Sequence, residues 1–131
     1  MKEFNWPVRV YYEDTDAGGV VFYANYLKFF ERARTEFLRS AGFEQDRLLL
    51  DEQIIFVVRS VSVDYLKPAR FNEQLDVSAK IVENKRASLV FEQSITRGQD
   101  VLCNGSIRIA CLDAQSMKPK SIPHAILEQL T

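Results

Sequence analysis

The chain has 131 residues, 47% of them apolar, which is material for one hydrophobic core and one domain spanning 1–131. Seventeen basic residues stand against eighteen acidic ones, a net charge of -1, so no global field draws the protein to nucleic acid or to an anionic membrane. The opening MKEFNWPVRV lacks the apolar core of a signal peptide, and the longest apolar runs fall far short of the ~20 residues of a membrane span, so a soluble, cytoplasmic protein is expected.

Residues 5–13 (NWPVRVYYE) read as a strand, with Val8, Val10 and Tyr12 at alternate positions and Pro7 near the start, where a first or edge strand tolerates it. The pattern then breaks at Asp14-Thr15-Asp16-Ala17-Gly18-Gly19, a small polar segment whose paired glycines indicate a tight turn or a close approach. From Ala24 to Ser40 the period is helical: Tyr26, Phe29, Phe30, Ala33 and Phe37 form one aromatic stripe. Lys28, Arg32, Glu36 and Arg39 occupy the other side, Arg32 and Glu36 at i,i+4, and Gly42 sits where a C-terminal cap is expected. So aromatic a helix needs a sheet to lie on.

After a polar, partly helical stretch from Glu44 to Gln53, four strands are expected at about 54–66, 74–83, 86–96 and 101–112. Lys67-Pro68-Ala69-Arg70 opens one connection, and tight hairpins are expected at Asn84-Lys85 and Arg97-Gly98-Gln99, which makes the pairing antiparallel. Leu75, Val77, Ala79 and Ile81 share one face, as do Val101, Cys103, Ile107 and Ile109. Lys80 and Arg108 fall on the solvated side. Val82, Val90 and Leu102 share that outer parity while being apolar, which a subunit interface would explain. Cys103 and Cys111 stand about 26 Å apart along one strand, too far to bridge, and two isolated thiols fit a reducing compartment. The tail from Lys118 ends in a short apolar run suited to a terminal helical turn or two.

Strand, Gly-rich loop, aromatic helix, then antiparallel strands make an α+β chain in which one five-stranded sheet curls around one central helix. The string Val8-Arg9-Val10-Tyr11-Tyr12-Glu13-Asp14-Thr15-Asp16-Ala17-Gly18-Gly19-Val20-Val21 resembles the signature of the Tol-Pal-associated acyl-CoA thioesterases (YbgC type), hot-dog enzymes of the 4-hydroxybenzoyl-CoA thioesterase group. The likeness continues through Tyr23-Ala24-Asn25-Tyr26-Leu27, Glu31-Arg32-Ala33-Arg34-Thr35-Glu36, Phe56-Val57-Val58-Arg59 and Met117-Lys118-Pro119, almost the whole chain.

The resemblance implies hydrolysis of short- or medium-chain acyl-CoA, or of acyl carrier protein thioesters, without metal or organic cofactor. It maps the catalytic carboxylate to Asp16 and the oxyanion donor to the backbone N–H of Tyr23, where many Tol-Pal members carry histidine. It also implies a dimer with a continuous sheet and active sites at the interface, often doubled into a tetramer. The physical reading agrees, because a carboxylate ahead of a helix N-terminus is held ionised by the helix dipole and free N–H groups. Asp16 could then attack the carbonyl or deprotonate water, a choice the sequence leaves open.

Other residues carry two readings each. Asp14 and Asp16 could cap a turn or the helix, and a calcium loop beginning at Asp14 fails because Gly18 and Asn25 stand at ligand positions. Gly19 would let substrate approach the backbone, and Asn25 is either a helix cap or a substrate-binding residue. Tyr11, Tyr12 and Tyr26 read as packing, and Phe29, Phe30 and Phe37 as core, one edge of which could line the acyl pocket. Arg59 shares strand parity with Val57, Val61, Val63 and Tyr65, so a bulge re-aims it or it pairs within the apolar face. Re-aimed, it could meet the phosphates of CoA, as could Lys67, Arg70, Lys85 or Arg86. His124 is the only histidine and lies in the tail, which excludes a Ser-His-Asp triad and argues against a histidine-dependent dehydratase. The contrasting possibility is a module that holds an acyl chain or acyl carrier protein without turnover.

Overall fold

The aromatic stripe forms the helix its spacing predicts. In the computed structural model, which describes residues 2–131, α1 runs over Asn25–Ser40, and Tyr26, Phe29, Phe30, Ala33 and Phe37 are all buried. The helix ends at Ala41, whose N–H reaches back to Leu38 O and Arg39 O, and Gly42 follows. On its outer side Glu36 pairs with Arg39 rather than with Arg32, whose guanidinium instead sits 5.7 Å from the Phe29 ring centroid.

The core of α1 is closed by an antiparallel sheet of five strands: β1 Glu3–Arg9, β2 Ile54–Tyr65, β3 Gln74–Lys85, β4 Ser88–Arg97 and β5 Asp100–Asp113, in the order β1-β3-β4-β5-β2. This is the hot-dog arrangement, with β1 and β2 as the two edges. The first strand stops earlier than its alternation predicts, because Tyr12–Asp14 wind into a 3-10 turn; Val10 is buried but Tyr11 and Tyr12 are exposed. Tyr26 packs in the core and Tyr12 packs at the surface, stacked on Phe71 at 3.8 Å between ring centroids. The β3–β4 hairpin turns at Arg86-Ala87, two residues beyond the expected Asn84-Lys85, since Lys85 pairs with Ser88. The β4–β5 hairpin closes at Gly98-Gln99 as expected.

Three bulges decide which side chains face the helix. Val58 pairs with Ile109 and Ser60 with Arg108, so Arg59 is the extra residue in β2 and is turned outward. The bulge resolves the Arg59 alternatives: Phe56 and Val58 before it, and Val61, Val63 and Tyr65 after it, lie opposite the inward residues of β5, while Val57 takes the other face. In β5 the extra residue is Leu102, between the pairs Ile95–Cys103 and Thr96–Val101. Leu102 is therefore buried and Val101 half-exposed, the reverse of the expected alternation, and Leu102 needs no partner subunit to cover it. Val82, the extra residue of β3, is partly exposed.

Gly105 of β5 is the point of closest approach between sheet and helix. A Cβ placed there would lie 3.0 Å from Phe30 Cε2, so only glycine lets the Phe30 ring reach the sheet. Full burial of such a ring contributes about 1.5–3 kcal/mol.

The Glu44–Gln53 stretch forms α2 (Gln45–Glu52), and the tail forms α3 (His124–Leu130), anchored by buried Ile126 and Leu130. No helix among the described residues is long and apolar enough to cross a membrane. Cys103 and Cys111 are free thiols in β5, both fully buried. Burial pushes the Cys103 thiol up to about 12. Iodoacetamide at about pH 8 should leave the native protein unmodified at Cys103 and label it only after denaturation, as mass spectrometry would record.

Candidate active site

The loop after β1 folds into a closed hairpin seated on the start of α1. Thr15 and Val21 form an antiparallel bridge, Asp16 N–H donates to Val20 O at 2.9 Å, and Gly19 N–H returns to Asp16 O at 3.0 Å. The chain then runs back alongside Asp14, where Phe22 N–H donates to Asp14 O at 3.0 Å, before entering the helix. Asp14 is buried, and its carboxylate accepts from Tyr11 N–H and from Asn25 Nδ2, both at 2.8 Å. One carboxylate thus staples the strand end, the loop and the first residue of α1 together.

Asn25 is consequently not the helix cap, and its amide nitrogen is already engaged. It is buried, it stands inside the helix, and its amide is committed to Asp14. The N-cap is Ala24, which offers no side-chain hydrogen bond. The N–H groups of Tyr23 and Ala24 accordingly have no acceptor among the described residues, and they stand at the positive end of the α1 dipole.

Asp16 differs from Asp14 in every respect that matters to chemistry. It is exposed, and its only side-chain hydrogen bond is from Gly18 N–H to Oδ1, at 2.8 Å. Oδ2 makes no bond among the described residues. Gly19 holds φ at +78°, a left-handed conformation costly to residues with a Cβ, although nothing lies within 4 Å of where that Cβ would be. Gly19→Ala should therefore lower stability by about 1–2 kcal/mol through backbone strain alone, read as a fall in the urea midpoint at unchanged slope.

Beside the loop opens a cleft of about 260 Å³ lined by Val21, Tyr23, Tyr26, Tyr65, Leu66, Lys67 and Pro68. Tyr23 is exposed and meets Tyr65 edge to face at 6.2 Å. Tyr26 is buried and its Oη accepts from Ala69 N–H at 2.9 Å; desolvation raises its phenol above the ordinary range. Asp16 lies outside this lining.

The candidate phosphate-binding cations separate into groups. Lys67 lines the cleft and pairs with Asp100 at 3.2 Å, while Arg70 adjoins the loop through its backbone bridge to Val20. Lys85 and Arg86 are at the far end of the β3–β4 hairpin, where Arg86 donates to Ser121 Oγ. Arg59 is exposed midway along the β2 edge, apart from the loop of its own chain.

The sequence profile of the Thioesterase superfamily matches residues 18–104. The chain belongs to this superfamily. A protein named acyl-CoA thioesterase YbgC, from Haemophilus influenzae, is 46% identical over 123 residues, covering 94% of this chain and 90% of its own. Among solved structures, a probable thioesterase from Bartonella henselae superposes with a TM-score of 0.89 at 34% identity, over 93% of this chain and 100% of that one. A variant of 4-hydroxybenzoyl CoA thioesterase complexed with 4-hydroxybenzoyl CoA gives 0.90 at 18% identity, over 100% of both chains, a likeness of fold alone.

The thioesterase fold also holds a polar feature that strand alternation and helical period do not reveal. Arg34 of α1 and Gln93 of β4 are both buried, and Arg34 Nη1 donates to Gln93 Oε1 at 2.9 Å. Gln93 Nε2 in turn donates to Phe30 O and Ser78 O. Desolvation lowers the Arg34 guanidinium to about 10, with nearby Glu31 opposing the shift. A glutamine at an inward position of a strand, and an arginine one step from an apolar stripe, were the available signals. Phe29, Phe30 and Phe37 do not line the groove next to Arg34; Leu27, Val58 and Val61 do.

Proposed function

We propose that the chain hydrolyses acyl-CoA thioesters to the free acid and CoA thiol, with Asp16 as the catalytic carboxylate. The observation that supports this reading is the closed 14–22 hairpin, which carries an exposed carboxylate and leads directly into a helix start whose Tyr23 and Ala24 N–H groups have no acceptor among the described residues. The family membership and the named activity of the Haemophilus relative support the same substrate class.

The chemistry follows from those groups. Asp16 takes a proton from water as the water oxygen attacks the thioester carbon; the carbonyl oxygen gains charge against Tyr23 N–H; the C–S bond then breaks and the departing thiolate recovers the proton. Alternatively, the carboxylate adds directly to the acyl carbon, the C–S bond breaks to release thiolate and leave an acyl–Asp16 mixed anhydride, and water then cleaves that anhydride, its proton going to the thiolate. Both routes need the same two groups in the same places. The main-chain donor does not depend on the side chain at position 23, so tyrosine serves there as histidine would.

The hairpin site is open on one side, and β2 presents a free edge with half-exposed Val58 and Val61. Two copies pairing through β2 would continue the sheet, wall in the space beside Val58 and Val61 without filling it and bring Arg59 of each chain toward the other's cleft. Lys67 and Arg70 would then take the phosphates, Gly19 would admit the pantetheine arm past its bare Cα, and acyl carrier protein could replace CoA as carrier. Free CoA thiol and two free cysteines both suit the cytoplasm.

The test is thiol release, followed with a chromogenic thiol reagent, from acyl-CoA substrates ranging from acetyl through medium-chain to benzoyl. Catalytic release from members of this panel is expected. Absence of release from all of them would leave a non-catalytic acyl-binding module.

A further inference from the structure

Between α1 and β2 runs a groove of about 440 Å³ lined by Leu27, Lys28, Glu31, Arg34, Val58, Val61 and Ile107. Its walls are apolar, and its charges come from one face of the helix. Glu31 offsets one of the two cations, so the groove keeps a net positive charge. Such a composition, apolar walls with a few fixed polar groups, is that of a small-molecule site.

Arg34 is the buried charge of this groove. Only Nη1 is engaged, by Gln93 Oε1, and Gln93 is itself fixed by Phe30 O and Ser78 O. No buried side-chain nitrogen or oxygen among the described residues is sealed away without a partner. Nε and Nη2 of Arg34 make no hydrogen bond among the described residues and are not sealed away, and Arg34 lines both this groove and the adjoining one that runs past Thr35 and Leu38. A guanidinium held through one nitrogen, with its other donors unpartnered at the wall of an apolar groove, is set to receive an anionic oxygen.

The groove begins at Leu27, in the first turn of α1 and four residues after Tyr23. Arg34 lies about 13 Å along the helix axis from Asn25 at ~1.5 Å per residue, and helical side chains lean back toward the N-terminus. A medium-length acyl chain whose carbonyl sits at the Tyr23 N–H would be long enough to bridge this span.

Resting on the acyl-CoA hydrolase reading, we propose that this groove takes the acyl chain and that Arg34 selects acyl groups ending in a carboxylate. The residue is not part of the reacting centre. It binds the far end of the substrate.

The experiment compares kcat/KM of the full-length protein for acyl-CoA sets of equal carbon number that end in methyl, hydroxyl or carboxylate. The order carboxylate, hydroxyl, methyl is expected at the best length, with at least about a tenfold advantage of carboxylate over methyl. Arg34→Met is expected to bring that ratio near one, and Arg34→Lys to keep part of it. Val61→Trp, which narrows the groove without touching Arg34, is expected to shorten the preferred chain and keeps the proposal testable if Arg34→Met does not fold. Equal or better hydrolysis of methyl-ended substrates by the wild type at every length would overturn the inference. So would an Arg34→Met protein with an altered oligomeric state and an unaltered ratio, which would assign the groove to a second copy of the chain. Release from methyl-ended substrates without preference defeats this inference alone; release from no acyl-CoA defeats the hydrolase reading as well.

Discussion

Asp16→Ala is expected to reduce thiol release from the best acyl-CoA by about 10²–10⁴-fold in kcat, the range over which a positioned general base acts, and by more if the carboxylate is the nucleophile. The fold should survive, because Asp16 is exposed and the variant loses only the bond from Gly18 N–H. Such an exposed hydrogen bond contributes about 1 kcal/mol. Affinity for a non-hydrolysable acyl-CoA thioether should stay within a few-fold of wild type, since the apolar walls and the cations are untouched. Asp16→Asn keeps an acceptor for Gly18 N–H while removing the charge, and it should be as inactive as the alanine variant. A variant of either kind retaining half of the wild-type rate would show that the reaction uses another group.

The second large effect is expected at Asp14, where the loss is structural first and catalytic as a consequence. Its buried carboxylate receives Tyr11 N–H and Asn25 Nδ2, and Asp14→Ala leaves both donors without an acceptor. Hydrogen bonds to a charged group contribute about 1.5–3 kcal/mol each, partly recovered when water enters, so a loss of about 2–4 kcal/mol is expected. On a chain of this size that lowers the thermal midpoint by roughly 8–16 °C. The hairpin that carries Asp16 is hung from this staple, and a shift of about 1 Å in a reacting group costs on the order of 10² in rate. Asp14→Asn, which keeps one acceptor, should recover part of both losses. An Asp14→Ala protein as stable as wild type would mean that the loop is held by its backbone bonds alone.

The two aspartates also mark how far the sequence could be read. Stripe and alternation placed α1 and all five strands, because core burial leaves a period in the chain that needs no knowledge of partners. What alternation cannot show is where it slips. Arg59 sat on the apolar parity of β2, and the bulge there left the two readings undecided until the register was known. Leu102 was assigned to the outside for the same reason, as the bulge residue of β5. The turn at Arg86-Ala87 fell two residues late because Asn84-Lys85 has the commoner turn chemistry while the ladder continues through it.

Within the candidate site, the motif strings supplied Asp16, Gly19 and Tyr23, and the structure shows the first exposed, the second at positive φ and the third with a backbone N–H that has no acceptor among the described residues. The cap reading of Asn25 failed because its partner, Asp14, is joined to it only through the folded loop. The Arg34–Gln93 pair was illegible for a similar reason: its two members are far apart in sequence, and neither residue type announces a buried partner.

The account depends on a thioester carbonyl lodging between Asp16 and the start of α1. The most direct measurement is a crystal structure of the Asp16→Asn protein with an intact acyl-CoA. The carbonyl oxygen is expected within about 3 Å of Tyr23 N, with the residue 16 side chain facing the carbonyl carbon at roughly 3–3.5 Å or through one water. A thioester bound elsewhere, with its carbonyl remote from the helix start, would contradict the account.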